Sequence, residues 1–166
     1  MDTGRAMSKE NVEVVRRVTD VMDAEGFAAA LPVFLKAAHP YVEWREDPAW
    51  PGSTNSRGVE QVRQVMLDRM DTLDFDQQTE ELIDVGDKVV VLVRWVGRGK
   101  ASGAQGEISL AMVWTVREQA ITRVEFFLDR AKALEAAGLP GVGDVAGERA
   151  ATRHEKFADS GPSGDG

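Results

Sequence analysis

The sequence predicts an α+β fold in which a cone-shaped, curved antiparallel sheet wraps around N-terminal helices and encloses an internal pocket. Apolar residues recur at helical spacing in residues 8–24 and 59–70. The segments after residue 74 are dense in the β-branched and aromatic residues that favour strands. Helices followed by a run of strands are typical of α+β architecture. A strongly twisted sheet packed on helices leaves a cavity that suits a ligand.

The composition fits one globular domain and excludes several kinds of chemistry. The chain has 166 residues, of which 43% are apolar, enough for a single core. It has no cysteine and only two histidines, which excludes disulfides, thiol nucleophiles and a multi-histidine metal site within one chain. We therefore expect neither a metal nor a cofactor.

Charge and hydropathy indicate which partners to expect. The net charge of −8 argues against binding to nucleic acid or to an anionic membrane surface. No apolar run approaches the ~20 residues of a membrane span, and the N-terminus lacks the apolar core of a secretory signal. The expected location is therefore the cytoplasm.

The first elements follow from helix start and stop signals. Residues 1–7 are predicted to be a flexible leader, and one folded domain is predicted over 8–139. A first helix is expected over 8–24, with Ser8 as its N-cap, and Gly26 ends it.

The next segments change period twice. The segment FAAALPVFLKAA predicts a second short helix with Pro32 near its first turn, and the His-Pro pair at 39–40 ends it. A strand is expected over 41–45. A loop rich in Pro, Gly, Ser and Asn spans 48–58, and a third helix is expected over 59–70.

Long strands and a short closing helix complete the domain. The run VVVLVRWV is typical of a strand buried on both faces. A helical turn is expected over 132–138, with Gly138 as its C-cap. The tail over 140–166, rich in Gly, Ala and charge, is predicted to be disordered. The four strands are predicted over 74–85, 88–98, 106–117 and 120–128.

Several segments together resemble a SnoaL-like protein of the nuclear-transport-factor-2-like superfamily. They are ENVEVVRRV, HPYVEWREDPAWPG, RGVEQVRQ, VGDKVVVLVRWVGRG, AMVWTVRE and FFLDRAKALEAAGL, and they cover about residues 8–139. The resemblance implies a conical α+β barrel with a pocket between helices and sheet, and a homodimer formed through the outer sheet face. Its members include polyketide cyclases, ketosteroid isomerases and non-catalytic binders, so the fold alone assigns no activity.

Asp47 is the first candidate catalytic residue. It stands in Glu46-Asp47-Pro48, which matches the segment that carries the general base of ketosteroid isomerases. Burial in an apolar cone would raise its pKa and make it a competent base; the alternative is a turn-forming role before proline. The oxyanion donors of those enzymes align with Val18 and Met112, which cannot donate a hydrogen bond, so the isomerase route is not expected.

Asp129 and Arg94 are the other two candidates for chemistry. Asp129 matches the acid/base residue of SnoaL-like cyclases, although Met112 stands where many relatives have a pocket histidine. Asp129 could instead cap the closing helix. Arg94 interrupts an apolar strand, where it could neutralise a pocket carboxylate such as Glu125 or Asp129, or reach solvent or a dimer interface.

Apolar and aromatic side chains are the candidates for binding a ligand. Trp114 could stack on a flat ligand, or simply pack in the core, and Trp50 in the Pro-rich loop could cover the pocket. Phe126 and Phe127 cannot both face the pocket, because successive strand residues point to opposite faces. The predicted substrate-binding residues are Trp44, Trp50, Leu110, Met112, Trp114 and Phe127.

Two functions remain open on the sequence alone. The first is binding of a small hydrophobic molecule in the cone pocket, with cofactor-independent acid/base chemistry by Asp47, Asp129 and Arg94 as an option. The second is a non-catalytic small-molecule-binding or dimerisation module, which the missing oxyanion donors and histidine favour. In both, the expected partners are a small hydrophobic molecule and a second copy of the chain.

Overall fold

In the computed structural model, which describes residues 2–99 and 105–139, helices pack against a six-stranded mixed sheet. The helices are α1 (Asp2–Glu25), α2 (Phe27–Ala37), α3 (Val59–Thr72) and α4 (Arg130–Ala136). The strands are β1 (Ala38–Arg45), β2 (Asn55–Arg57), β3 (Leu73–Val85), β4 (Lys88–Gly99), β5 (Gln105–Arg117) and β6 (Ala120–Phe127). This architecture confirms the predicted α+β class.

The strand order is β2-β1-β6-β5-β4-β3, and one neighbouring pair is parallel. β1 runs parallel to β6, whereas every other pair is antiparallel. The prediction of a wholly antiparallel sheet is therefore wrong at this pair. Hairpin turns force antiparallel pairing, but β1 and β6 are joined by a long connection that includes α3 and four strands, and such a crossover permits parallel pairing.

The clearest differences from the predicted elements are at α1 and β2. α1 begins at Asp2, six residues before the predicted N-cap at Ser8, so the helix includes residues 2–7 of the predicted leader. The Ser8 hydroxyl donates to Asp84 Oδ1 at 2.5 Å, which ties α1 to the end of β3 and gives Ser8 a tertiary role in place of capping. β2 lies inside the segment predicted to be only a loop. The predicted tail over 140–166 lies outside the described residues.

The sheet buries both of its faces. In β4, Val89, Val91 and Val93 face α1, α2 and α3, on what we call the inner face. Val90 and Leu92 face the opposite way, on the outer face, where they pack against α4. Burial on both faces explains why this strand is almost continuously apolar.

Candidate functional site

An aromatic cavity of about 80 Å³ lies between the first three helices and the inner face of the sheet. This volume exceeds the roughly 10–15 Å³ that one water molecule requires. All four tryptophans and four of the six phenylalanines of the chain line it. These residues are Trp44, Trp50, Trp95, Trp114, Phe27, Phe34, Phe75 and Phe126.

Strand alternation places the β5 and β6 residues of this lining. Met112 pairs with Phe126, and Trp114 pairs with Val124, so all four share the inner face and border the cavity. Phe127 lies on the outer face, where it packs against the cluster beneath α4. Phe127, one of the predicted binding residues, therefore does not border the cavity, whereas its neighbour Phe126 does.

The other predicted binding residues border the cavity. Trp44 is buried in β1, and Leu110 lies two residues before Met112 on the same face of β5. Trp50 reaches the cavity from the loop between β1 and β2, where its ring meets Trp95 edge-on, with ring centroids 6.1 Å apart.

Trp95, which was not among the predicted binding residues, joins several aromatic rings of the lining. Its ring centroid lies 4.6 Å from that of Phe75 and 6.1 Å from that of Phe126. Phe126 in turn lies 4.8 Å from Trp44. Tilted and edge-on contacts at these distances are favourable aromatic geometries, so the rings pack against one another and form one side of the cavity.

Glu46 is an almost fully enclosed carboxylate in the cavity lining, with a side chain 8% exposed. Arg69 donates to both of its oxygens, through Nε to Oε2 at 3.0 Å and through Nη2 to Oε1. Trp44 Nε1 and the Thr54 N–H each donate to it at 3.0 Å. Burial raises the pKa of Glu46, but the hydrogen bonds from Arg69, Trp44 and Thr54 together outweigh burial and hold that pKa below its usual value.

Asp47 borders the same cavity, but two backbone groups hold its carboxylate. Oδ2 accepts from the Leu128 N–H at 2.8 Å, and Oδ1 accepts from the Ala49 N–H at 2.9 Å. These bonds, with Lys132 nearby, hold the pKa of Asp47 below its ordinary value. Burial acts to raise the pKa of Asp47, as expected, but the two backbone hydrogen bonds outweigh it, so the net shift is opposite to the expected one. The bond to Ala49 is the turn-forming contact considered as the alternative.

Asp129 and Arg94 are not among the residues that border the cavity. Asp129 is exposed and caps α4, since its Oδ1 accepts from the Ala131 N–H at 2.9 Å. Arg94 lies on the outer face, where its Nη1 donates to Glu107 at 2.7 Å. Of the three predicted acid/base residues, only Asp47 therefore borders the cavity.

Arg69 and Gln77 are among the polar cavity residues that were missed from the sequence, although each left a signal. Arg69 follows Val62 by seven residues and Met66 by three, which places a cation on the buried stripe of α3. In β3, Gln77 stands on the opposite face from the acidic residues Asp74 and Asp76, which predicts that it points inward. Gln77 is indeed buried, and its Oε1 accepts a hydrogen bond from Trp95 Nε1 at 2.9 Å. A buried polar side chain requires such a partner.

The described part of the chain offers no metal site and no membrane helix. Among its histidine, aspartate and glutamate residues, no group of three or more is placed to hold a metal ion. None of its helices is long and apolar enough to cross a membrane.

Comparison with solved structures identifies the fold. An NTF2-like protein from Burkholderia thailandensis is 26% identical, covers 75% of this chain and 96% of its own, and has a TM-score of 0.62. A SnoaL-like polyketide cyclase candidate from Jannaschia sp. CCS1 is 18% identical, covers 80% of this chain and 94% of its own, and has a TM-score of 0.62. TerC, co-crystallized with polyporic acid, is 20% identical, covers 77% of this chain and 98% of its own, and has a TM-score of 0.61.

Sequence comparisons add no closer assignment. No protein-family model and no curated protein matches the chain. The structural neighbours nevertheless agree with one another, and they confirm the resemblance drawn from the sequence motifs. The chain has the NTF2-like α+β fold, which its structural neighbours of the SnoaL-like and ketosteroid isomerase-like kinds share.

Proposed function

We propose that this protein binds a small, flat, apolar molecule in the aromatic cavity. The observation that carries this proposal is the gathering of all four tryptophans and four phenylalanines around one cavity. Aromatic side chains supply a large contact area and favourable ring–ring geometry for a flat ligand. TerC, which shares the fold, was co-crystallized with polyporic acid, and this supports the binding of a small molecule by this fold.

Binding without conversion fits the polar groups of the cavity better than catalysis does. Val18 and Met112, which stand where the resemblance expects oxyanion donors, both border the cavity and cannot donate a hydrogen bond. Asp47 is engaged through both oxygens and has a lowered pKa, which makes it a weak base.

Acid/base conversion by Asp47 is the second candidate, favoured by the position of Asp47 at the cavity. A simple substrate for this chemistry is 3-cyclohexen-1-one, whose isomerisation to the conjugated enone is followed by ultraviolet absorbance. We expect the wild-type protein and Asp47→Asn to give the same background rate. A wild-type rate well above that of Asp47→Asn would establish the second candidate and replace the first.

The binding proposal is tested by calorimetric titration with indane and 1-indanone, two bicyclic probes with the same carbon skeleton. Ala30→Leu adds bulk at a buried residue that lines the cavity, and we expect it to abolish binding of both probes. Ala28→Leu adds the same bulk at an exposed position of α2 and is expected to leave binding unchanged. Equal affinity of the two variants, or no binding to the wild-type protein, would contradict the proposal.

A homodimer is the second partner that we propose, on the strength of the resemblance. Within the described residues, α4 packs on the apolar part of the outer face, and Val90, Leu92, Ala111 and Val113 there are at most 1% exposed. A dimer contact would therefore use the charged part of that face, around Glu43. Light scattering should give twice the chain mass at low ionic strength, with the dimer weakening as salt is added. A single-chain mass at low salt and high protein concentration would contradict it.

A further inference from the structure

The tryptophans of the cavity differ in how their indole N–H groups are used. Trp44 Nε1 donates to Glu46 Oε2 at 3.0 Å, and Trp95 Nε1 donates to Gln77 Oε1 at 2.9 Å. Trp114 is 5% exposed, and its Nε1 is out of contact with solvent. No described group accepts a hydrogen bond from Trp114 Nε1.

This unpaired donor is unusual, because buried polar groups are nearly always hydrogen-bonded. The indole N–H can only donate, so it needs an acceptor atom. The neighbours of Trp114 cannot supply one from their side chains: Phe34 meets its ring edge-on at 5.7 Å, and its cross-strand partners are Val89 and Val124. Trp114 also borders the aromatic cavity, which is where an acceptor from another molecule can be accommodated.

We infer that the ligand of the aromatic cavity carries an acceptor oxygen, such as a ketone or quinone carbonyl, which receives the hydrogen bond of Trp114 Nε1. This inference rests on the proposed function, and it adds a chemical class to the apolar ligand. The Trp114 N–H fixes the orientation of the ligand, because it is the buried indole N–H of the cavity that has no acceptor among the described residues.

The charges around the cavity favour a neutral ligand over a carboxylate. Arg69 donates to Glu46 and to the Gly52 carbonyl oxygen, so this cation is already committed to acceptors of the protein. The carboxylate of Asp47 borders the same cavity and repels an anion. A neutral carbonyl accepts a hydrogen bond without bringing in a charge that the site would have to neutralise.

The inference is tested with 1-indanone and indane, which differ only in the carbonyl group. Trp114→Phe removes the N–H but keeps an aromatic ring. We expect it to lower the calorimetric affinity for 1-indanone relative to indane by roughly tenfold, because the carbonyl loses its partner in an apolar site. The matched control is Trp95→Phe, whose N–H is already bonded within the protein. It is expected to change both affinities by about the same factor.

A spectroscopic measurement on the wild-type protein keeps the test independent of how the variants fold. The infrared carbonyl stretch of ¹³C-labelled 1-indanone should move to lower wavenumber on binding, as it does for a hydrogen-bonded ketone. A stretch like that in a hydrocarbon solvent, or an unchanged affinity ratio in Trp114→Phe, overturns the inference while leaving the binding proposal intact. Failure of the wild-type protein to bind either probe overturns both.

Discussion

The two faces of strands β4 and β5 are built from adjacent residues but differ in how completely their side chains are packed. On the outer face, Val90 and Leu92 pack with Ala133 and Leu134 of α4, and the apolar surface is closed within one chain. On the inner face, the alternate residues join a larger core that leaves an aromatic cavity. Alternation along a single apolar strand thus supports a packed layer on one side and the wall of a cavity on the other.

Two glutamates close together in the chain extend the comparison to charge. Glu43 faces outward, where Arg57 and Arg123 donate to it, and the side chains of these arginines are 69% and 38% exposed. Glu46 faces the cavity, and its partner Arg69 is only 22% exposed. The same kind of ion pair therefore lies in a solvated setting on one face and an enclosed setting on the other, where salt screens it much less.

The largest effect is expected from truncating matched leucines on the two faces. Leu92 and Leu110 are each 1% exposed, but only Leu110 borders the cavity. We expect Leu92→Ala to lower the free energy of unfolding by about 4 kcal/mol and Leu110→Ala by about 2.5 kcal/mol, because Leu110 already lacks packing partners on its cavity side. Urea unfolding measures both values. An equal or larger loss for Leu110→Ala would break the contrast between the faces.

The enclosed ion pair should give the next largest effect. Arg69→Met leaves the Glu46 carboxylate buried without its main partner, and we expect a loss of about 3 kcal/mol in the free energy of unfolding. The control is Arg63→Met on the same helix, whose pair with Glu60 is exposed and 3.9 Å long. Its expected effect is below about 0.5 kcal/mol. Similar losses for the two variants would show that Glu46 is better solvated than its contacts indicate.

Substituting asparagine for each of the two candidate aspartates should separate a bridging carboxylate from a helix cap. Asp47 accepts from backbone N–H groups in two separate segments, and an asparagine would turn an NH₂ group toward one of these donors. We expect Asp47→Asn to lower the free energy of unfolding by about 1–2 kcal/mol. Asp129→Asn should change it by only a few tenths, since asparagine is an equally good N-cap. Thermal unfolding of the two variants in parallel decides between these outcomes.

The smallest expected effect concerns pH and salt. The hydrogen bond from Arg57 is the largest of the interactions that lower the pKa of Glu43, and together they outweigh the opposing effect of burial. The pKa of Glu46 is lowered as well. Because both values are depressed in the folded state, the stability they provide is present above the ordinary glutamate value of 4.5 and is lost as pH falls through the folded value.

Salt should then distinguish the two glutamates in acid unfolding. In about 1 M NaCl, the contribution removed by Glu43→Gln should shrink by a few tenths of a kcal/mol, because the arginines around Glu43 are solvated. The contribution removed by Glu46→Gln should persist. Equal sensitivity to salt would mean that the two environments are electrostatically alike.

Local sequence patterns predicted most of the secondary structure, because helical and strand periods and turn residues act within a few positions. The lining by Trp44, Leu110 and Met112 follows from the same alternation. The error at Phe127 is one of phase: alternation allows only one of Phe126 and Phe127 to face the cavity, and the pairing of Phe126 with Met112 assigns that face to Phe126.

The features that the sequence did not predict depend on contacts between distant segments. Glu46 meets Arg69 across 23 positions, and Asp47 meets the Leu128 N–H across 81. The pKa of Asp47 is set by those backbone donors, which no local pattern reveals. The parallel pairing of β1 with β6 likewise depends on how the whole chain closes.

The most direct test of the binding function is a titration with 1-indanone followed in a ¹H–¹⁵N correlation spectrum. We expect the four tryptophan indole signals to shift together with the inner-face amides, whereas signals from α4 and the outer-face residues Val90 and Leu92 stay in place. Shifts concentrated at α4 and the outer face, or no shift of the indole signals at millimolar probe, would contradict this expectation.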